Sequence, residues 1–403
     1  MKPENLKSLL DRQPQGHALL QEFYASPEIF ERDIERIHLR RWLCVGHESR
    51  IPDPGDWFRF DIAEESVLIV RGKDGALRAL LNVCRHRGSR ICHEEEGNAR
   101  ALVCPYHAWT YDLNGELRGA RHTDADFDLS RYSLKQIHLR VLEGLVFVCF
   151  ADDPPKLDEV ERALLGSLTH YGWKNARIAH RERYPVKGNW KLVTENYQEC
   201  YHCTPSHPEF SRHHATSKPD EEVEELRTEA RKRAQAMGIE ILEVETWPAG
   251  ESAGQEGIDC SYDATYPGSL TGSEDGAPLA PLMGNFTDYD GGFSYVELGP
   301  ASFYLAYPDH GMVYLFVPRG PQETDMEVLW LVEGDAREGI DYQKDSLIWM
   351  WHVTSIADKR IIEDNQQGVN SRYYDPGPYT EMEVLSRKFS EWYLREIAPG
   401  SKG

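Results

Sequence analysis

The sequence predicts an α+β chain made of two units: a small antiparallel β domain, and a larger domain of antiparallel sheet with long helices. Three observations point there. Between residues 45 and 150 the chain reads as short strands broken by tight turns, Asp74-Gly75 and Asn114-Gly115 among them. Between 293 and 333 four strand-like runs follow one another, at 293–298, 301–307, 312–318 and 325–333. Long helical stretches at about 337–367 and 380–396 close the chain, separated by Pro376 and Pro378. At 403 residues there is enough chain for two domains with cores of their own.

The elements follow in order. Ser26-Pro27-Glu28 combines a capping hydroxyl, a proline at the first helical position and an acid near the positive end. It predicts a helix over 26–44, with Ile29, Phe30, Ile34, Ile37 and Trp42 as its apolar face. Pro52, Pro54 and Gly55 mark a break, and the boundary is set near 45. Ser66–Arg71 is rich in branched residues and reads as a strand; Val141–Phe150 closes the small domain. Asp152-Asp153-Pro154-Pro155 reads as a linker, followed by a helix near 157–166 and a strand near 177–186. Residues 220–237 form a charged helix stopped by Gly238, its charges a solvated face. The stretch 248–292, full of Gly, Ser, Asp and Pro, reads either as a lid or channel wall or as a disordered surface insertion. The division is therefore 1–44 as N-terminal helices packing on the large domain, 45–152 as the small β domain, and 153–403 as the large domain.

Bulk composition narrows the class. There are 45 basic and 67 acidic residues, a net charge of −22. A nucleic-acid binder needs a basic footprint, so that class is excluded; docking by a basic partner stays open. No apolar stretch follows the N-terminus, and the longest strongly apolar run, about Leu145 to Ala151, is too short for a bilayer. A cytoplasmic protein is expected. Eight cysteines in this length are not a disulfide framework. Cys44, Cys92, Cys149, Cys200, Cys203 and Cys260 are expected as reduced, mostly buried thiols.

The remaining two cysteines belong to Cys84-Arg85-His86 and Cys104-Pro105-Tyr106-His107. Each segment offers one thiolate and one imidazole, and both types bind iron and zinc. One Cys and one His per loop suits a [2Fe–2S] cluster with two Cys on one iron and two His on the other; structural zinc is the alternative. Neutral imidazoles in place of thiolates lower the negative charge and raise the reduction potential. Cys92-His93 lies between the loops without their spacing and reads as structural.

A second candidate follows Trp190. Glu195, Glu199 and His202 stand at i, i+4 and i+7, so a helix through them would put all three on one face. Pro205 would end that helix, and the turn after it can return His207 toward His202. Two histidines and a carboxylate with open positions suit Fe(II) and O₂. Alone, His-x4-His is also compatible with ordinary helix-end histidines. An upstream electron carrier strengthens the metal reading, because it needs something to reduce.

With both motifs in view, the chain resembles the terminal oxygenase (alpha) subunits of Rieske non-haem iron oxygenases. The matching stretches are Trp42 to Gly55, Asn82 to Gly88, Cys104 to Thr110, Asn189-Trp190-Lys191 and Glu195 to His207. The resemblance implies a Rieske [2Fe–2S] domain held by Cys84, His86, Cys104 and His107, and a catalytic domain of helix-grip architecture. It implies mononuclear Fe(II) on His202, His207 and an acid of a late helix, with Asp358 in the ligand's place and Asp364 the competitor. It gives Glu199 a bridging role, accepting a hydrogen bond from a cluster histidine, His107, of a neighbouring chain. A closed head-to-tail ring, usually a trimer, would pair one chain's cluster with the next chain's iron. Asn196 and Glu195 are implied to orient ligands, although a structural helix-face role fits Glu195 too. Tyr106 stands where respiratory Rieske proteins carry an extra disulfide cysteine, and Cys200-x-x-Cys203 is read as packing.

The activity implied is O₂ activation, with electrons supplied by a separate flavin/iron-sulfur reductase drawing on NAD(P)H, and one or two oxygen atoms entering a small molecule. The chain has no Gly-x-Gly-x-x-Gly loop with which to bind the nicotinamide itself. The glutamate in Glu199-Cys200-Tyr201-His202, with Asn-Trp-Lys and Asn-Gln-Gln-Gly, is most similar to stachydrine demethylase, choline monooxygenase and related enzymes of quaternary ammonium compounds. N-demethylation or methyl hydroxylation of a betaine-like substrate is therefore expected. Aromatic-ring hydroxylation is the second reading, and a zinc-stabilised non-enzymatic binding protein a distant third. A quaternary amine wants an aromatic cage, for which Trp247, Tyr266, Phe286, Tyr289, Phe293, Tyr295 and Tyr304 are the candidates, with a sheet core as their plain alternative.

Overall fold

The computed structural model describes residues 3–215, 218–245 and 256–399. Three short helices come first: α1 (Pro3–Arg12), α2 (Gln21–Ala25) and α3 (Pro27–Asp33). Ser26 caps α3 by accepting the Ile29 N–H at 3.4 Å, an arrangement worth about 1 kcal/mol. The helix expected over 26–44 does not run that far. A π-helical turn follows at 34–38, and strand β1 (Leu43–His47) already belongs to the sheet of the small domain. All five residues of β1 are buried, which no helical apolar stripe would allow.

The small domain is antiparallel throughout. Strands β2 (Asp56–Ile62), β3 (Glu65–Arg71), β4 (Leu77–Leu81), β5 (Glu96–Asn98), β6 (Leu102–Val103), β7 (Thr110–Tyr111), β8 (Leu117–Gly119), β9 (Gln136–Leu142) and β10 (Leu145–Cys149) follow in turn. One sheet has the order β1-β10-β9-β4-β3-β2-β5, and a small second sheet the order β6-β7-β8. The 141–150 stretch closes the domain as the end of β9 and all of β10; Glu143 and Gly144, both at positive φ, fold β9 onto β10 as a hairpin. Trp57, Leu68, Val70, Leu80, Trp109, Tyr111 and Leu117 form the core that the two loops rest on.

The large domain begins with α4 (Asp158–Leu168) and β11 (Arg177–Val186), then α5 (Trp190–Tyr197), α6 (Cys203–Ser206), α7 (Pro208–Ser211) and α8 (Asp220–Ala236). Strands β12 (Val244–Glu245), β13 (Ile258–Ala264), β14 (Gly292–Leu298), β15 (Ser302–Ala306), β16 (Gly311–Gly320) and β17 (Glu323–Val332) complete an antiparallel sheet of order β11-β17-β16-β15-β14-β13-β12. Two helices close the chain, α9 (Lys344–Val369) and α10 (Val384–Ile397). The expected helix start at 337 is seven residues early, because 337–343 form turns.

One face of this sheet packs α5, α9, α10 and the N-terminal helices in a single core running from Leu6 and Phe23 to Trp190, Trp330 and Tyr393. The other face packs α4 and reaches Cys44 and Phe147 of the small domain. Part of the 248–292 stretch is ordered core rather than a surface insertion. β13 pairs with β14 over its whole length, and Thr271, Met283 and Asp290 are fully buried. Gly284, at φ +57°, approaches so closely that a Cβ would lie 2.2 Å from the His170 carbonyl.

Candidate metal centres

The two cluster-type loops share one backbone design. The Cys84 N–H donates to the Ser89 carbonyl and the Gly88 N–H to the Cys84 carbonyl; Cys104, Trp109 and Ala108 repeat both bonds, all at 2.9–3.0 Å. The fifth residue of each loop takes positive φ, +81° at Gly88 and +57° at Ala108. Glycine does this freely, whereas alanine carries a cost of about 1–2 kcal/mol. Asn82 braces the first loop, its Oδ1 accepting the Ile91 and Cys92 N–H groups at 2.9 Å. The Tyr111 hydroxyl lies 3.3 Å from Cys84 Sγ and accepts the Arg85 N–H at 3.0 Å.

This scaffold buries the Cys84 and Cys104 sulfurs and leaves His86 and His107 at the surface. The two imidazoles meet through Nδ1, 3.1 Å apart. Burial pushes the Cys84 thiol pKa up, and the Cys104 thiol beside it adds to the effect. Two soft sulfurs inside and two ring nitrogens outside fit a di-iron cluster at the domain tip. Cys92 carbonyl and N–H groups both serve Asn82, a bracing role.

The second centre assembles from three elements. Helix α5 stops at Tyr197, so Glu195, Glu199 and His202 do not share one continuous helix face; Glu199 and His202 sit on the turn that follows. Pro205 lies inside α6 and does not end the earlier helix. His207 falls between α6 and α7, and Asp358 comes from the middle of α9. His207 Nε2 lies 2.9 Å from Asp358 Oδ1 and 3.2 Å from His202 Nε2, and His202 Nε2 is 3.3 Å from Asp358 Oδ1. Asp364, the competing acid, is exposed.

These ligand atoms all lie within 4.8 Å of one another. Burial alone would raise the Asp358 carboxyl, but hydrogen bonds from His202 and His207 hold it below its ordinary value. Burial likewise opposes charge on His202, yet Asp358 and Glu199 lift its pKa to about 9. The centre therefore demands positive charge. Two imidazoles with one carboxylate fit a divalent iron that keeps open positions.

Glu199 Oε1 accepts from His202 Nδ1–H at 2.6 Å, which leaves Nε2 free to face the centre. Asn196 Nδ2 is 3.5 Å from His202 Nε2. Glu195 points elsewhere: its carboxylate accepts from Tyr24 at 3.0 Å, Tyr379 at 3.3 Å and Ser390 at 3.4 Å. That ties α5 to the N-terminal helices and α10, a structural role. Residues that spacing did not reveal include Glu209, 3.7 Å from His207 Nδ1. Tyr197 is another, close enough that the Asp358 charge raises its pKa after burial.

The six described cage candidates do not converge. Alternation along the strands sends Phe293 and Tyr295 to the face carrying α5 and α9, and Tyr304 to the other, where Phe286 also packs. Tyr289 donates to Asp309 at 3.1 Å, Tyr266 is half-buried, and Trp247 lies outside the described residues. Phe293 instead joins Phe210, His214, Tyr307 and Trp351 in one ring cluster, with centroids 3.9–6.4 Å apart. Phe210 follows His207 by three residues, and Trp351 precedes Asp358 by two helical turns.

The cysteine expectation also needs correction. Cys200 and Cys203 are joined as a disulfide, whereas the other six are free. Among the described residues no helix is long and apolar enough to cross a membrane.

A sulfur-rich β tip and a His-His-Asp centre on a helix-backed sheet define a two-centre oxygenase. Residues 41–138 match the Rieske [2Fe-2S] domain and residues 173–398 the ring hydroxylating alpha subunit (catalytic domain). The chain belongs to the Rieske non-haem iron oxygenases, as an alpha subunit, which disposes of the structural-zinc alternative. It is 35% identical over 388 residues to the glycine betaine monooxygenase oxygenase subunit of Chromohalobacter salexigens, covering 95% of this chain and 86% of that one. A subunit of the same name from Pseudomonas aeruginosa is 35% identical over 394 residues, covering 96% and 91%. The carnitine monooxygenase oxygenase subunit of Escherichia coli is 36% identical over 196 residues, 47% of this chain and 52% of that one. The fold is shared with a quaternary ammonium Rieske monooxygenase, with a TM-score of 0.72, 23% identity and 96% and 97% of the two chains covered. A naphthalene 1,2-dioxygenase from Rhodococcus sp. gives a TM-score of 0.66 at 19% identity, covering 99% and 98%.

Proposed function

We propose that this chain is the terminal oxygenase of a multicomponent system that oxidises an N-methyl group of a quaternary ammonium, betaine-like compound, releasing the methyl as formaldehyde. The observation that carries the reading is the aromatic group Phe210, His214, Phe293, Tyr307 and Trp351, two of whose members stand on α7, which His207 opens, and on α9, which carries Asp358. Near full-length similarity to oxygenase subunits named for glycine betaine supports it. A quaternary ammonium has no N–H to donate, so ring faces are its natural partners.

In this reading Cys84, His86, Cys104 and His107 hold the [2Fe–2S] cluster, and His202, His207 and Asp358 hold the ferrous ion. When bound, these groups together activate O₂ with electrons that arrive singly. The side chains do the rest. Glu199 fixes the His202 tautomer through Nδ1. Asp358 supplies the one negative charge of the ligand set. Asn196 sits at hydrogen-bonding range of His202. Trp351 and Phe210 hold the cation and exclude water. The division into an N-terminal segment to 44, a Rieske domain at 45–152 and a catalytic domain from 153 is part of the same proposal. So are cytoplasmic placement, a separate reductase, and a homotrimer in which Glu199 of one chain meets His107 of the next.

The test is a substrate screen with a surrogate reductase, reading formaldehyde and oxygenated aromatic products together. Formaldehyde from a betaine supports the reading; ring hydroxylation without it overturns the substrate. Asp358→Ala should lose the mononuclear iron and turnover while keeping the cluster spectrum. His107→Ala should do the reverse for the metals. Trp351→Ala should raise KM at least tenfold, about 1.4 kcal/mol, with little change in iron content.

A further inference from the structure

We propose that Cys200 and Cys203 form a redox-modification site, a reversible clasp around His202 that hydrogen peroxide closes and a dithiol opens. The two sulfurs are bonded, and the ring they close contains Tyr201 and His202. Both histidines of the metal centre hang from this segment. The His207 N–H donates to the Cys203 carbonyl at 2.8 Å, and the Ser206 N–H to the His202 carbonyl at 3.0 Å. Glu199 Oε2 accepts the His202 N–H at 3.1 Å. One covalent link therefore restrains the turn that presents His202 and the helix that leads to His207.

Position makes the pair selective. Cys200 is half-buried and Cys203 is buried, giving an attacking and a resolving sulfur. Cys44, Cys92, Cys149 and Cys260 are kept as inert thiols, their pKa values pushed by burial to about 11 or 12. The chemistry balances. The Cys200 thiolate attacks one peroxide oxygen, the O–O bond breaks, and a sulfenic acid and one water result. The Cys203 thiolate then displaces the second water and forms the S–S bond. Two thiols have lost two electrons and two protons, and the peroxide has become two waters. A dithiol reverses this by becoming a cyclic disulfide. Two-electron reduction of O₂ yields peroxide, so a site that turns over O₂ can meet its own oxidant. That source, and the effect on iron, rest on the function proposed above; the clasp itself does not.

The experiment treats the holoenzyme with one equivalent of hydrogen peroxide or with dithiothreitol. Excess reagent is removed, peptide mass mapping follows residues 200–203, and iron release to ferrozine is timed with ascorbate present in both samples, so that all iron is read as ferrous. The expected result is a disulfide-linked peptide after peroxide and two alkylated cysteines after dithiothreitol. Iron should leave several-fold faster from the reduced protein, and equally fast under both treatments from Cys203→Ser, with the cluster absorbance unchanged. Two alkylated cysteines after peroxide, or equal release from both forms of the native chain, would overturn the clasp. If His202→Ala keeps its mononuclear iron, the metal assignment fails, while mapping still decides the cysteine pair.

Discussion

Glu195 illustrates how one side chain's surroundings set its work. Burial raises its carboxyl pKa to about 7, against hydrogen bonds from Tyr24 and Tyr379 that lower it. The folded chain thus holds this proton up to about pH 7, whereas the unfolded chain releases it near 4.5. Stability from this group is complete below the lower value and is lost as pH rises through the upper one. Glu195→Gln should flatten the dependence of Tm on pH between 5 and 8 relative to the native chain. Parallel curves for the two proteins would show that Glu195 does not govern it. Asp358 is the opposite case, a buried acid kept charged by its two histidines.

Among elements, α5 depends on a buried polar anchor. Its Lys191 pairs with Asp33 at the end of α3, and both side chains are fully buried. Asp33 also accepts from Trp190 Nε1 at 3.0 Å and from the Tyr393 hydroxyl of α10 at 2.8 Å. Removing one partner strands the other charge, so Lys191→Met should cost about 3–5 kcal/mol in urea unfolding. Adding Asp33→Leu should return part of that loss, because a well-packed apolar pair offsets the missing ions. Gln366 of α9 performs a related task, its Oε1 accepting the Asn189 N–H at 2.8 Å where α5 begins. The helix carrying Asp358 and the helix leading to His202 are thereby set against each other.

Over the whole molecule, each centre has an exposed tyrosine close by in the chain. His86 and His107 lie at the surface beside Tyr106, and Tyr201 next to Glu199 is exposed as well. The proposed ring makes a sharp prediction. His107→Ala chains and Asp358→Ala chains, each inactive alone, should regain activity when co-expressed, since in that ring the cluster of one chain would serve the iron of another. No recovery in mixed assemblies that retain both metals would exclude transfer between chains.

Local pattern carried much of this. Ligand spacing at 84–86 and 104–107, the turns at Gly75 and Gly115, and the strands from 292 to 332 are readable because each depends on neighbours a few residues away. Tertiary structure decided the rest. Asp358 rather than Asp364 reaches His207, 151 residues distant, because the phase of α9 buries one and exposes the other. The break at Tyr197 separated Glu195 from Glu199 and turned it toward α10. Strand alternation dispersed the described members of the expected cage, whereas helices α7 and α9 brought Phe210 and Trp351 to Tyr307. Each outcome depends on which distant element covers a given face, and no pattern of adjacent residues encodes that.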